Sequence, residues 1–398
     1  MAVQNELGTD TSSGRVSPFY DPKIRGIVFQ AALIVFVGVL IYIGASNAIR
    51  NLQAQNIASG FGFLGNTAGF AISQTLIPYT VTSTYGDAFI VGLLNTLLVA
   101  AIGIVLATIL GFIIGIARLS SNWLVAKVAT AYVEIVRNLP LLLQLLFWYF
   151  AVVKSLPSPR ESFGPWAGTY LNIRGLFMPR PVFGAGSWLF DLAIVVAIVA
   201  IVVIYRWARK RQMATGQQFP ILWTSLALFF GLPLFALVVT GFPVTFDMPE
   251  LTGFNFTGGM RMEPEFVALL LGLVIYTASF IAEIVRAGIQ AVSHGQTEAA
   301  GALGFRRGLT LRLVVIPQAM RVIIPPLTNQ YLNLTKNSSL AVAIGYPDLV
   351  SVFAGTVLNQ TGQAVEVIFI TMLVYLTISL LTSAFMNWFN LRMALVER

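Results

Sequence analysis

Residues 294–305, HGQTEAAGALGF, are a short run of small and polar residues between two long apolar stretches. Ser293 precedes the run and is placed to cap a short helix, while Glu298 suits the positive N-terminal end of that helix. Gly304 is the residue type that ends a helix in the left-handed conformation, and Thr310 is placed to cap the helix that follows. The stretch therefore predicts a helix–turn–helix between two apolar segments.

Ala299 and Ala300 give the predicted helix almost no side-chain bulk. Two interpretations are open for such a segment. It is either an ordinary tight loop between two helices, or a surface whose exposed small side chains let the backbone of another protein come close.

The chain is far more apolar than a soluble protein. Of its 398 residues, 57% are hydrophobic and 10% are charged, against roughly 25% charged in soluble domains, and the mean hydropathy is +0.81. A soluble protein of this composition would expose large apolar patches, so the sequence predicts a membrane protein. The net charge of +8 fits basic residues in cytoplasmic loops, and nucleic-acid binding is not expected.

Residue types that carry chemistry are scarce. The absence of Cys excludes disulfides and Cys-ligated metals, and a single His, His294, cannot form a His cluster. The patterns G-x-S-x-G, H-E-x-x-H and GxxxxGK[ST] do not occur. We therefore expect no catalytic residues, no metal site and no bound cofactor. Residues 1–22 lack the apolar core of a signal peptide, so the first apolar segment is expected to remain as an anchor.

Apolar runs of about 20 residues can cross a bilayer as helices. Pro140 predicts a bend at 137–140 in the third such run, and Pro317, Pro325 and Pro326 interrupt the seventh. The fold class that follows is an all-α, polytopic membrane protein. It has about eight transmembrane helices, at 27–45, 88–117, 141–153 with residues upstream, 184–205, 221–242, 266–282, 313–335 and 367–391.

Eight spans place both termini on one side of the membrane, and Lys and Arg indicate which side. The positive-inside rule assigns the richer set to the cytoplasm, so both termini and 287–312 are predicted to be cytoplasmic and 154–183 periplasmic. One set of loops and tails holds fifteen, namely Arg15, Lys23, Arg25, Arg118, Lys127, Arg206, Arg209, Lys210, Arg211, Arg286, Arg306, Arg307, Arg312, Arg392 and Arg398. The other holds seven, namely Arg50, Lys154, Arg160, Arg174, Arg180, Arg261 and Lys336.

The span pattern divides the chain into parts. Residues 1–87 hold a cytoplasmic tail, the first span and a periplasmic loop, and residues 391–398 form a second cytoplasmic tail. Residues 88–390 form the main transmembrane domain, with a two-span insert at 154–262 that has Pro- and Gly-rich flanks. No strong internal repeat is visible, so the inverted-repeat signature of many secondary transporters is missing.

The opening stretch also resembles a known motif. The letters EAA at 298–300, three residues, Gly304, nine residues and VVIP at 314–317 resemble the EAA motif, EAA-x3-G-x9-I-x-L-P, of transmembrane subunits of binding-protein-dependent ABC importers. In that family the loop docks into a groove of the ATPase subunit and transmits its motion. The resemblance implies a type I ABC importer permease core and an ATPase-coupling loop that contains Glu298, Ala299, Ala300, Gly304 and Pro317.

Two further stretches resemble permeases for polar amino acids. Residues 95–150 contain the Thr-Leu pair, R-x-S and Y-x-E-x-x-R-x-x-P-L-x-x-Q of that subfamily, although Asn138-Leu139 stands where Gly-Thr is commoner. Residues 282–300 resemble A-E-x-x-R-x-x-I-x-x-V-x-x-G-Q-x-E-A-A. The insert is unlike the shorter five-span members and resembles the longer permease subunit of general L-amino acid importers in Gram-negative bacteria.

The resemblance implies a permease subunit that moves L-amino acids across the bacterial inner membrane, with the ATP used by a partner. The implied partners are an ABC ATPase dimer, a second permease chain that is related but different, and a periplasmic amino-acid-binding protein, assembled in the lipid bilayer. An ion-coupled secondary transporter of small polar solutes is the alternative from another class. It would need carboxylates at mid-membrane, and the apolar centres of these spans have almost none.

Ionisable residues at membrane depth are candidates for the translocation path, because such positions are costly to occupy. Glu134 and Arg137 lie three residues apart on one helix face, so they are either a mutual structural pair or part of the path. Glu283 and Arg286 have the same spacing, and we interpret them as a structural pair that holds the coupling loop.

A second group of path candidates lies in 329–340, NQYLNLTKNSSL. Asn329, Asn333 and Lys336 fall along one helical stripe, and polar groups of this kind suit the zwitterionic backbone common to amino acids. The alternative is hydrogen bonding between helices and solvation of a loop. Gln144 and Asn95 are weaker candidates for the same role.

Overall fold

The computed structural model describes residues 22–54, 60–184, 188–241 and 244–393. Most of the predicted N-terminal tail and the last residues of the C-terminal tail lie outside this part of the chain. The α-helices are α1 (Pro22–Ala54), α2 (Tyr85–Ala117), α3 (Trp123–Asn138), α4 (Leu141–Leu146), α5 (Trp188–Thr215), α6 (Ile221–Val239), α7 (Pro264–Gln290), α8 (His294–Ala302), α9 (Arg307–Thr310), α10 (Ile316–Asn337), α11 (Leu358–Thr361) and α12 (Ala364–Met393).

Seven helical segments of the described residues are long and apolar enough to cross a membrane, and a bent pair makes eight. The bent pair is α3 followed by Leu141–Ser155, and its two parts meet at 107°. The predicted bend at 137–140 is therefore confirmed, and the third span is a bent pair of helices. Leu139 has extended backbone before Pro140, because a residue that precedes proline is disfavoured in the helical conformation.

Close approach of helices defines the core, where α2 and α10 both pack against α7. A Cβ atom at Gly111 of α2 would lie 2.6 Å from Cβ of Ile281 of α7, and one at Gly115 would lie 2.7 Å from Cβ of Val285. Ile281 and Val285 are fully buried. Small residues at these crossings let the two backbones pack closely, which is how helices associate in a membrane without a hydrophobic driving force.

The insert contains strands as well as helices, which an all-α prediction did not include. A four-stranded antiparallel sheet has the order β1-β2-β3-β8, and β4-β5 and β6-β7 form two-stranded ribbons. The pairing of β3 with β8 joins the two flanks of the insert. The strands are β1 (Phe163–Trp166), β2 (Thr169–Asn172), β3 (Gly175–Met178), β4 (Arg180–Phe183), β5 (Val244–Asp247), β6 (Glu250–Thr252), β7 (Asn255–Thr257) and β8 (Met260–Met262).

Helices α5 and α6 form a hairpin that leaves and re-enters this lobe of strands. The two helices pack against each other, and most of their apolar side chains are exposed, while the others are half-buried at their contact. Their buried residues are only Ala197, Ala208 and Pro233 in the described chain. The apolar part of α1 is likewise exposed along its length. These helices therefore offer their sides to lipid or to other chains.

Candidate coupling loop and translocation path

Helix α8 carries the EAA stretch and ends as predicted. Gly304 has φ 75°, the left-handed conformation that glycine adopts without strain. The amide of Gly304 donates to the carbonyl of Gly301 at 2.9 Å, and the amide of Phe305 donates to the carbonyl of Ala300 at 3.0 Å. This pair of bonds is the Schellman arrangement, which satisfies the last carbonyls of the helix.

The helix caps of the helix–turn–helix differ from those predicted. Ser293 occupies the cap position of α8, but its hydroxyl makes no capping bond. Glu298 contacts Nδ1 of His294 at 2.9 Å through the i, i+4 spacing of the helix surface. Thr310 lies at the end of α9 and donates to the carbonyl of Arg306, so it does not cap the next helix.

The structure corrects the expectation that both alanines of the EAA stretch are exposed. Ala299 is exposed, as expected for a docking surface, whereas Ala300 is 4% exposed and belongs to the interior of the loop. The exposed large apolar side chains of 294–305 are Leu303, at 75%, and Phe305, at 37%. The loop therefore has Ala299, Leu303 and Phe305 at its surface.

Pro317 lies in the first turn of α10, directly after a π-helical turn over Leu311–Val315. A proline at this position removes one backbone donor from the helical segment Arg307–Ile344, which continues through the π turn. The π turn is a common way to accommodate such an irregularity inside a longer helical segment. Pro317 thus lies early in this segment, where the π turn passes into α10.

Charged residues from three helices meet at the base of the loop, around Glu283 of α7. Its carboxylate pairs with Arg118, which caps the C-terminus of α2, and lies 2.5 Å from Arg286 and 4.0 Å from Arg137 of α3. Arg118 also lies 3.9 Å from Glu134 of α3. The cluster therefore joins α2, α3 and α7 close to the point where the chain leaves α7 for the candidate coupling loop.

This cluster confirms one predicted pair and corrects another. The pairing of Glu283 with Arg286 is confirmed. The interpretation of Glu134 and Arg137 as a mutual pair is wrong, because each side chain pairs with a residue outside α3. The prediction missed Arg118 as a member of the cluster, although it is the first charge after the uncharged run at 88–117.

The stripe of α10 has the geometry expected of a path-lining face. Asn329, Asn333 and Lys336 are all exposed, while Leu334 and Thr335 beside them are buried. Within the described residues the three polar side chains have no hydrogen-bond partner. The polar groups are therefore available to a solute or to another chain.

The two weaker path candidates, Gln144 and Asn95, form hydrogen bonds inside the subunit. Gln144 is buried, and its amide nitrogen donates to the carbonyls of Val136 at 2.9 Å and Leu139 at 3.0 Å. It therefore closes the end of α3 at the bend. Asn95 is fully buried, and its amide nitrogen bonds the carbonyls of Gln74 and Pro347, both at 2.9 Å.

The prediction also missed a buried acid. Asp348 is fully buried, and one carboxylate oxygen accepts the amide of Ser351 at 2.8 Å, as a capping residue does. It is the single acid between Glu298 and Glu366 in the sequence, which was the available signal. Among the described residues, no group of three or more His, Cys, Asp or Glu is placed to hold a metal ion.

A mostly helical chain with seven or eight apolar spans and an EAA-type loop between two of them defines a permease subunit of a type I ABC importer. The chain belongs to the family of binding-protein-dependent transport system inner membrane components, whose model matches residues 107–395. It is therefore a multi-pass membrane protein and a permease subunit rather than an enzyme.

Full-length relatives carry the insert as well as the core. The chain is 58% identical to the general L-amino acid transport system permease protein AapQ of Rhizobium johnstonii, over 96% of this chain and 95% of the relative. It is 54% identical to the putative amino-acid ABC transporter permease protein YhdX of Escherichia coli, over 98% of both. It is 44% identical to the glutamate/glutamine/aspartate/asparagine transport system permease protein BztB of Rhodobacter capsulatus, over 95% and 96%.

Proposed function

We propose that this chain is the membrane subunit of an ATP-driven importer of L-amino acids, which a separate ATPase dimer drives through the loop at 294–305. The observation that carries the proposal is the loop itself. It is a short helix closed by Gly304, with Ala299 and Leu303 exposed and an ionic cluster joining its base to the bundle. A force applied to α8 is thus delivered to three helices at once, through Glu283 and its arginine partners.

The proposed substrate class rests on the relatives. Three full-length relatives are named for amino acids, and two of those names specify a general or mixed range. An amino acid always presents a carboxylate and an ammonium group. Asn329, Asn333 and Lys336 offer amide and cationic groups that recognise a carboxylate irrespective of the side chain. A stripe of this kind is suited to a broad substrate range.

The stripe also supports the proposed partner chain. Asn329 and Lys336 are exposed on one face of α10, and Val322 is exposed nearer the start of the same helix. Polar side chains facing lipid would be costly, so this face requires a water-filled path or another protein. We propose that a second permease chain covers it and that the path runs between the two. Glu134 and Arg137 flank this path at the coupling end.

We propose that the subunit lies in the bacterial inner membrane with both termini in the cytoplasm, and that a periplasmic amino-acid-binding protein delivers the substrate. The excess of Lys and Arg in the loops on the coupling side supports this orientation. The secondary-transporter alternative is not favoured, because members of this family work with a binding protein.

Uptake by the reconstituted complex tests the function. The chain is purified with its ATPase and second permease, inserted into liposomes and supplied with the binding protein on one side and ATP on the other. We expect ATP-dependent uptake of a radiolabelled amino acid, with competition by acidic, basic and neutral L-amino acids. Uptake that persists without ATP and follows an ion gradient would contradict the proposal, and competition by one class alone would refute the broad range.

A further inference from the structure

A cluster of cations lies at the end of α5 that is remote from the strands. Arg206, Arg209 and Lys210 are exposed, and their i, i+3, i+4 spacing places them on one face of the helix. Among the described residues, none of the three forms an ion pair with a carboxylate. Three full positive charges are therefore concentrated on less than two turns of helix.

The hairpin supplies no acid to balance these charges. No Asp or Glu occurs between Asp191 and Asp247, and both of these lie at the end near the strands. Asp191 is about 22 Å from Arg206 along a helix axis with a rise of 1.5 Å per residue. The C-terminus of α5 adds a partial negative charge, which offsets only a fraction of a unit. The cluster therefore keeps most of its positive charge and attracts anions from outside the hairpin.

The neighbouring residues place the cluster at the level of lipid headgroups. Trp207 packs edge-on against Phe219 with ring centroids 5.4 Å apart, and Arg211 lies over the Trp207 ring at 5.4 Å. Arg211 also donates to Gln217 at 2.7 Å, so it closes the turn towards α6 and is not part of the free face. Aromatic side chains are enriched where a membrane helix leaves the hydrocarbon, and an uncharged apolar run leads up to this point in α5.

We propose that the face formed by Arg206, Arg209 and Lys210 binds the phosphate headgroup of an anionic phospholipid and so fixes the α5–α6 hairpin at the membrane surface. The positive-inside rule explains why cations lie on this side of the membrane. It does not explain why three of them are concentrated beside the packed rings of Trp207 and Phe219. Few residues of the hairpin are buried against protein, so lipid contacts decide its position. Lys and Arg side chains close to a membrane surface attract anionic lipid headgroups, and each one adds to the attraction.

Lipid retention by the purified complex tests this site, and it does not depend on the transported substrate. The full complex is delipidated in detergent, incubated with phosphatidylglycerol or with phosphatidylcholine, and analysed by native mass spectrometry. The neutral triple variant Arg206→Gln/Arg209→Gln/Lys210→Gln is compared with the charge-keeping variant Arg206→Lys/Arg209→Lys/Lys210→Arg. Each cation near an anionic headgroup contributes about fivefold to retention. We therefore expect the neutral variant to lose phosphatidylglycerol adducts by roughly a hundredfold in apparent affinity.

The charge-keeping variant should retain phosphatidylglycerol as the unmodified chain does, and neither variant should change the weak retention of phosphatidylcholine. Equal phosphatidylglycerol retention by the neutral variant would overturn the proposal. Displacement of the adduct by millimolar inorganic phosphate would also overturn it, because the site would then recognise a free anion. Unchanged lipid retention with lost ATPase co-purification in the neutral variant would instead assign the face to the ATPase.

Discussion

The crossing of α2 and α7 allows a quantitative prediction at Gly115. A Cβ atom there would lie 2.7 Å from Cβ of Val285 and 2.8 Å from the carbonyl oxygen of Ala282. Neither atom can move by a change of rotamer, because one is attached to the backbone and the other belongs to it. Carbon atoms pack at about 3.5–4.0 Å. The Gly115→Ala variant must therefore separate the two helices by roughly 1 Å to restore contact at that distance.

Two effects of opposite sign determine the result. Alanine favours the helix over glycine by about 1 kcal/mol, whereas overpacking a tight interface costs about 1–3 kcal/mol. Because the clash at Gly115 involves backbone, we expect the cost to prevail and Gly115→Ala to lower the free energy of unfolding by up to about 2 kcal/mol. The separation would also draw Arg118 away from Glu283, so we expect weaker coupling of ATP hydrolysis to transport.

Two matched variants calibrate the measurement, which is unfolding of the purified complex in detergent titrated with sodium dodecyl sulfate. At Gly103 the nearest atom is Cδ2 of Leu334 at 3.2 Å, the far end of a flexible side chain, so Gly103→Ala should change stability by less than about 1 kcal/mol. Gly231 of α6 has nothing within 4 Å, and Gly231→Ala should be neutral or stabilising. Equal stability of the Gly115 and Gly231 variants would refute the packing argument.

Three further predictions concern coupling, the path and topology. Ala299→Trp should insert at normal levels but lose ATPase co-purification, whereas Ala300→Trp should lower membrane abundance because the position is buried. Normal ATPase binding by Ala299→Trp would contradict docking of the ATPase on this loop. Asn333→Leu should alter the apparent affinity or selectivity of uptake while the complex still assembles. Unchanged uptake of every substrate would show that the stripe has a structural role and does not line the path. A membrane-impermeant thiol reagent should label Ser158→Cys but not Thr215→Cys in intact spheroplasts, and the reverse pattern would contradict the proposed orientation.

The local features of this chain were predictable from the sequence because they depend on residues a few positions apart. The bend at Pro140 and the left-handed Gly304 follow from the conformations that proline and glycine allow. The position of Asn329, Asn333 and Lys336 on one face of a helix follows from helical periodicity, whereas their exposure is a finding of the structure. The family resemblance rested on the same kind of local spacing.

The remaining features required the tertiary structure, because they depend on residues that are distant in the sequence. The sequence determined that Glu283 needs a cation, but Arg118, 165 positions away, became its partner only when α2 packed against α7. The pairing of β3 with β8 likewise joins segments on either side of two membrane helices. Burial of Ala300 and exposure of Ala299 could not be read from two identical letters, since the fold of the loop around α8 decides which of them faces a partner.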